Sequence, residues 1–278
     1  MALFCTYMSF ISYNGEIVDA SLPVLHVHNR AFKYGDGVFE TMRMWDGNIL
    51  LQDLHFERLL NGLATMEIRN DRSFRETVVA SIHQLCERNG CCSSAKVRVA
   101  AFREEAKGAG FSIEVTPLPH QYYQLNNEGW AIDVYPDVLK SSDVFANLKS
   151  ANYLPYVMAD LYARANELDE SLVLNTRHFI ADGSKTNVFI IKEQVVFTPA
   201  LDQGCVAGVM RLFVINEMKN NAYNIRETEV STEMLLNADE VFMTNAIKGI
   251  QWVKSFRNKV YGSTLTRQLF NTLFSAAS

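Results

Sequence analysis

The stretch Asn29 to Leu50, NRAFKYGDGVFETMRMWDGNIL, decides how the chain begins to fold. Val38 to Trp45 alternates apolar and polar side chains, the two-residue period of a strand. Asp46-Gly47 suits a two-residue turn because both positions tolerate positive φ, and Asn48-Ile49-Leu50 then runs back as a second strand. Upstream, Cys5 to Val18 has Asn14-Gly15 at its middle and reads as another hairpin. The chain therefore opens as an antiparallel sheet.

Helices follow the hairpins. Asp53 is placed to cap a helix carrying Leu54, Leu59, Leu60 and Leu63, and Ser73-Phe74-Arg75-Glu76 has the capping-box pattern for a second helix ending near Arg88. Strands are expected at Ala95 to Phe102 and Ser112 to Val115. Residues 119–128, rich in Asn and Gln after Pro117 and Pro119, read as a linker between a small domain, 1–118, and a larger one, 129–278. The larger part should hold a strand at Trp130 to Tyr135 and helices at Tyr153 to Leu168, Val206 to Lys219 and Leu265 to Phe274. Short strands are expected at Ser171–Leu174, Val188–Ile191, Val195–Phe197 and Glu240–Met243. The fold class is α+β in the first part and mixed α/β in the second.

Of the 278 residues 48% are hydrophobic and 21% charged, which suits a chain with a substantial core. A net charge of −5 with no Lys/Arg block gives no electrostatic footprint for nucleic acid or anionic membrane. The N-terminus lacks a basic leader region, and Asn14, Glu16 and Asp19 interrupt its apolar run. Cys5, Cys86, Cys91, Cys92 and Cys205 are odd in number and form no C-x-x-C pair. Both features point to reduced thiols and a cytoplasmic protein.

No nucleophile elbow, P-loop, zinc-protease helix or dinucleotide fingerprint is present. His26 and His28 alternate on an expected strand edge without a third ligand, so no metal is expected. Three places could receive an anion. Arg58 lies on the first helix; Gly204 to Arg211 sets two glycines at a helix opening, where free N–H groups and the helix dipole favour phosphate; Thr244 to Gly249 follows an apolar strand. A lysine removed from water can attack an aldehyde. Local chemistry does not choose among Lys140, Lys149 and Lys185.

Taken together, certain segments resemble the fold type IV enzymes that use pyridoxal 5′-phosphate (PLP). These include branched-chain and D-amino-acid aminotransferases and aminodeoxychorismate lyase. The run Asn29 to Thr41 resembles their glycine-rich motif, His55-x-x-Arg58-Leu59 their phosphate arginine, and Lys149-Ser150-Ala151-Asn152-Tyr153-Leu154 their Schiff-base segment. Ala181 to Phe189 resembles the segment with the acid under the pyridine nitrogen, and Val206 to Arg211 the helix that meets the phosphate. The resemblance implies a two-domain fold of the D-amino-acid aminotransferase type, PLP as cofactor, and a homodimer. It assigns Lys149 to the Schiff base and proton transfer, Asp182 to the pyridinium, and Tyr153 to the phenolic oxygen. Arg58, the helix opening at Gly208 with the Val209 and Met210 amides, and the Ala246-Ile247 turn go to the phosphate. The chemistry is coherent, since a pyridinium needs a carboxylate, a phosphate needs Arg and N–H donors, and an aldehyde needs a lysine.

Two residues depart from the aminotransferase pattern. Asp182 stands where Glu is usual, and Met210 where a hydroxyl often meets the phosphate; the latter resembles the lyase branch. Substrate groups implied by the resemblance are Tyr34, Phe39, Arg98 and Arg103. Lys107-Gly108-Ala109-Gly110 replaces the Arg-x-His pair of D-amino-acid aminotransferases, which demotes that branch. The expected activity is a branched-chain-like class IV aminotransferase acting on an amino acid and a 2-oxoacid. Aminodeoxychorismate lyase is the alternative, a D-amino-acid aminotransferase the third reading, and a regulatory protein retaining the cofactor the non-enzymatic one.

Overall fold

The computed structural model describes residues 9–104 and 108–274, so Cys5 and Lys107 lie outside the described residues. The chain divides into two compact units, one comprising 1–121 with 149–152 and the other 122–148 with 153–278.

The first unit is built on the two hairpins. Phe10–Tyr13 (β1) and Glu16–Asp19 (β2) are joined by Asn14-Gly15, and Gly37–Trp45 (β3) and Asn48–Ile49 (β4) by Asp46-Gly47; all four turn residues have positive φ. Ser94–Glu104 (β5) and Gly108–Pro117 (β6) complete a six-stranded sheet of order β2-β1-β6-β5-β3-β4. Arg30–Tyr34 forms a short helix (α1), followed later by Gln52–Thr65 (α2) and Phe74–Arg88 (α3). Phe56, Leu59 and Leu63 of α2 and Val78, Ile82 and Leu85 of α3 are buried in one cluster with Val38, Met42 and Met44. Each such side chain contributes roughly 1.5–3 kcal/mol by leaving water.

Both helix starts differ from the sequence reading. Leu51, in the left-handed region at φ 54°, caps α2, and Asp53 falls inside the first turn. Ser73 does cap α3, but its side chain makes no capping bond: its backbone, at φ −93° and ψ 0°, is not extended as a capping residue's usually is, and its hydroxyl donates to Asp71 Oδ1 at 2.9 Å. His26 and His28 are exposed on irregular backbone and a turn, not on a strand.

The second unit holds a nine-stranded mixed sheet. Its strands are Trp130–Lys140 (β7), Glu170–Asn175 (β8), Ile180–Gly183 (β9), Asn187–Lys192 (β10), Val195–Pro199 (β11), Ile225–Thr228 (β12), Glu240–Asn245 (β13), Gly249–Phe256 (β14) and Lys259–Val260 (β15). They run β12-β11-β10-β13-β14-β7-β8-β9, with β15 beside β14. Helices Leu154–Ala165 (α4), Val209–Asn220 (α5), Thr232–Asn237 (α6) and Thr264–Phe274 (α7) belong to this unit. Its core gathers Ile132, Leu172, Val188, Ile190, Val241, Met243 and Val253.

Most of the expected linker is tied to this sheet. Asn126 accepts from the Trp252 amide at 2.9 Å and donates to Trp252 O at 3.0 Å, while Gln251 Nε2 donates to Gln124 O at 2.9 Å. Tyr123 is buried and donates to Ala246 O at 2.8 Å. Asn126, one of the residues that made this segment look like a loop, here satisfies backbone groups of β14, and the Gln251 side chain of β14 returns a bond to the Gln124 carbonyl.

Candidate active site

In the first unit, β3 carries Val38, Glu40, Met42 and Met44 in one phase. Glu40 thus lies in phase with core residues, and it is 1% exposed. Its partners come from α2. Arg58 Nε donates to Glu40 Oε1 at 2.7 Å and Arg58 Nη2 to Oε2 at 2.6 Å, while His55 Nδ1 lies 2.6 Å from Oε2. Burial by itself would raise the Glu40 carboxyl; the Arg58 charge and the His55 and Arg58 hydrogen bonds overcome it and hold the group down at about 2. Arg58 is thereby a planar guanidinium held along one edge by a buried carboxylate.

The Lys149 segment is sewn to the start of β3. The Phe39 amide donates to Lys149 O at 2.8 Å, the Ala151 amide donates to Gly37 O at 2.9 Å, and Ser150 bridges Val38 in antiparallel fashion. The two most distinctive sequence segments are therefore hydrogen-bonded to each other. Gly37 permits the packing on its other side, since a Cβ there would stand 2.5 Å from Ala101 O. Lys149 Nζ lies 4.4 Å from the centre of the Phe39 ring, and the Arg98 guanidinium carbon 4.9 Å from it. Phe39 thus bears two cations. Arg98 also faces Glu114 at 3.6 Å, an exposed and weak pair.

The other two expected substrate residues are placed differently. Arg103 donates to Asp36 from Nε at 2.9 Å, and to Glu67 O and Met66 O at 2.9 and 2.7 Å. It braces the end of α2 against the glycine motif, with each of its nitrogens in use. Tyr34 is exposed, with Arg30 and Lys33 5.2 and 5.0 Å from its ring centre.

In the second unit, Asp182 on β9 is 1% exposed and surrounded by donors. Oδ1 accepts from Asn187 Nδ2 at 2.9 Å. Oδ2 accepts from Tyr156 Oη at 2.6 Å, the Val206 amide at 3.0 Å and Lys140 Nζ at 3.2 Å. Burial and the Asp182 charge raise the Tyr156 hydroxyl well above its ordinary value, so it stays a donor. Tyr153 packs on Tyr156 at 4.5 Å between ring centres and donates to Ser184 O at 3.2 Å. The turn after Asp182 is pinned by buried Glu170, which accepts from the Ser184 amide at 2.9 Å and from Thr186 Oγ1 at 2.9 Å.

The opening of α5 lies close by, joined to Asp182 through Val206 and Asn187. Gly208 caps α5 without a side chain, so the first amides of that helix, Val209 and Met210 among them, have no intrahelical acceptor. A Cβ at Gly208 would fall 1.8 Å from Asn187 Oδ1, and Asn187 pairs directly with Thr244 across β10 and β13. The Thr244 hydroxyl is buried and lacks a partner among the described residues. In the following turn the Ile247 amide donates to Asn245 Oδ1 at 3.0 Å. Ile247 is thus already engaged, because the Asn245 side chain closes its own turn.

Sequence reading did not single out Glu40, Lys140 or Tyr156, nor Thr244 as a side-chain donor. Only Glu40 carried a local signal, as a carboxylate in the apolar phase of its strand.

The family model for amino-transferase class IV matches residues 37–256. The chain is 29% identical over 264 residues to aminodeoxychorismate lyase of Bacillus subtilis, covering 91% of this chain and 88% of that one. It is 27% identical over 260 residues to D-alanine aminotransferase of Bacillus licheniformis, covering 91% and 90%. The solved branched-chain amino acid aminotransferase of Escherichia coli superposes with a TM-score of 0.85 at 23% identity, over 96% of this chain and 94% of the other. With the model spanning most of the chain, the protein belongs to the class IV aminotransferase family and has its two-domain fold type IV architecture.

Proposed function

We propose that this chain is a PLP-dependent aminotransferase that moves an amino group between an amino acid and a 2-oxoacid, with substrates of the branched-chain type. The observation that carries the reading is that Lys149 and Arg98 both lie within 5 Å of the Phe39 ring centre, at 4.4 and 4.9 Å: an amine and a guanidinium gathered at one side chain suit a substrate bearing an amino group and a carboxylate. The second unit fits the cofactor. Its buried carboxylate suits a pyridinium, and the α5 amides with the orphaned Thr244 hydroxyl suit a phosphate dianion.

Bound PLP supplies an electron sink for charge released at the substrate α-carbon. In this proposal Lys149 carries the cofactor and moves the α-proton through Nζ. Asp182 faces the ring nitrogen and Tyr153 the phenolic oxygen. Arg58, the amides of Val209, Met210 and Ala246, and Thr244 Oγ1 would hold the phosphate; Gly208 leaves room for the Asn187 side chain beside them. Arg98 takes the substrate carboxylate, and Phe39 and Tyr34 shape its surroundings. Arg103 is left as a brace and Ile247 as a turn residue.

One observation favours a second reading, 4-amino-4-deoxychorismate lyase. Met210, buried at the α5 opening, offers the phosphate no hydroxyl. The holoprotein should be incubated with L-leucine, L-glutamate or D-alanine plus a 2-oxoacid, and separately with 4-amino-4-deoxychorismate. Amino exchange with L-leucine supports the first reading. Pyruvate and 4-aminobenzoate without exchange establish the second, exchange with D-alanine alone moves the protein to the D-specific branch, and no turnover of any of them favours a regulatory protein that retains the cofactor. A homodimer belongs to the proposal. Leu154, Val157, Met158 and Leu161 form an exposed apolar stripe at helical spacing on α4, a face suited to self-association. A monomer by light scattering with full turnover would remove the dimer.

A further inference from the structure

Lys140 ends β7, and its ammonium group reaches three acceptors: Ala146 O at 2.9 Å, Asp182 Oδ2 at 3.2 Å and the Tyr156 hydroxyl. Tyr156 in turn donates to the same Asp182 oxygen at 2.6 Å. Lys140 and Asp182 side chains are only 11% and 2% exposed, so this ion pair is sheltered from solvent screening. The other neutral donors on Asp182 are Asn187 and the Val206 amide. Titratable neighbours of the cluster are Tyr153, packed on Tyr156, and the buried Cys205 thiol beside Val206.

We propose that Lys140 is a positioning residue for Asp182: with Tyr156 it clamps the carboxylate and shares its negative charge, so that the ring nitrogen meets a partly neutralised acid. The inference rests on the PLP reading above. A carboxylate already paired with an ammonium attracts a second cation less strongly than a free one. Lys140 therefore lowers the ring nitrogen's hold on its proton, and it compensates for the Asp182 side chain's short reach by fixing it in one orientation.

The test is the pH titration of ring-15N-labelled PLP bound to the holoenzyme, read by 15N NMR. In Lys140→Met the ratio of protonated to neutral ring nitrogen at a given pH should rise roughly tenfold over the wild type. Lys140→Gln, which keeps a donor but loses the charge, should shift in the same direction. Lys140→Arg should stay close to the wild type. An unchanged titration in both uncharged variants overturns the inference while PLP binding by the wild type leaves the functional proposal standing; if Lys140→Met fails to fold, Lys140→Gln alone decides. Failure of the wild type to bind PLP removes the functional proposal itself, and PLP fixed by borohydride to Lys140 overturns the inference together with the role given to Lys149.

Discussion

Replacing Glu40 by Gln tests whether the buried Glu40–Arg58–His55 cluster holds the first unit together through charge. The carboxyl falls from the ordinary 4.5 to about 2 in the folded chain. At about 1.4 kcal/mol per pH unit, that drop is worth about 3 kcal/mol of stability. Because Glu40 is 1% exposed, no discount for solvent screening applies. A lowered pKa stabilises above the unfolded value and loses its effect as pH falls toward the folded value. The contribution is therefore complete at neutral pH, and linkage removes about 1.4 kcal/mol of it by pH 3.5. Gln cannot titrate, so the variant should lie about 3 kcal/mol below the wild type at pH 7, and the gap should narrow as the wild-type carboxyl takes up its proton. Urea unfolding of both proteins at pH 7, 5 and 3.5 measures this, and at 2–4 °C per kcal/mol a thermal midpoint about 6–12 °C lower at pH 7 is the parallel signal. A gap of the same size at pH 7 and 3.5 would refute the charge argument and leave only packing.

Further outcomes test individual contacts. Gly208→Ala should weaken PLP affinity at least roughly tenfold by equilibrium dialysis, because the new Cβ must displace Asn187, which is itself bonded to Asp182 and Val206 O; unchanged affinity would move the phosphate elsewhere. Gly37→Ala should lower stability by roughly 1–3 kcal/mol, since a Cβ 2.5 Å from Ala101 O forces β3 and β5 apart; a thermal midpoint equal to that of the wild type would contradict this. Borohydride reduction of the holoprotein should fix PLP to Lys149 and leave Lys149→Ala unlabelled, as read by peptide mass analysis.

Local pattern made much of the fold legible. Asn14-Gly15 and Asp46-Gly47 named their hairpins because positive φ is a property of those residues. The helix bodies of α2, α3, α5 and α7 followed from apolar spacing. The caps did not, because Asp53 and Ser73 are suitable in type while the backbone conformation, left-handed at Leu51 and helical at Ser73, decides which bonds are made. The return of 149–152 to the first unit was equally illegible. It depends on hydrogen bonds to Gly37 and Phe39, more than a hundred residues earlier.

By itself, the sequence determined which residue types were available for PLP chemistry and in what order, and it ranked Lys149 above other lysines only through the company of similar segments. Tertiary structure decided what each lysine touches. Lys149 reaches the Phe39 ring that Arg98 also approaches, Lys140 reaches Asp182 and Tyr156, and exposed Lys185 pairs with Asp160. The physical reason is that a side chain's charge and reach are local properties, whereas its partners are set by strand pairing and packing between residues far apart in the chain.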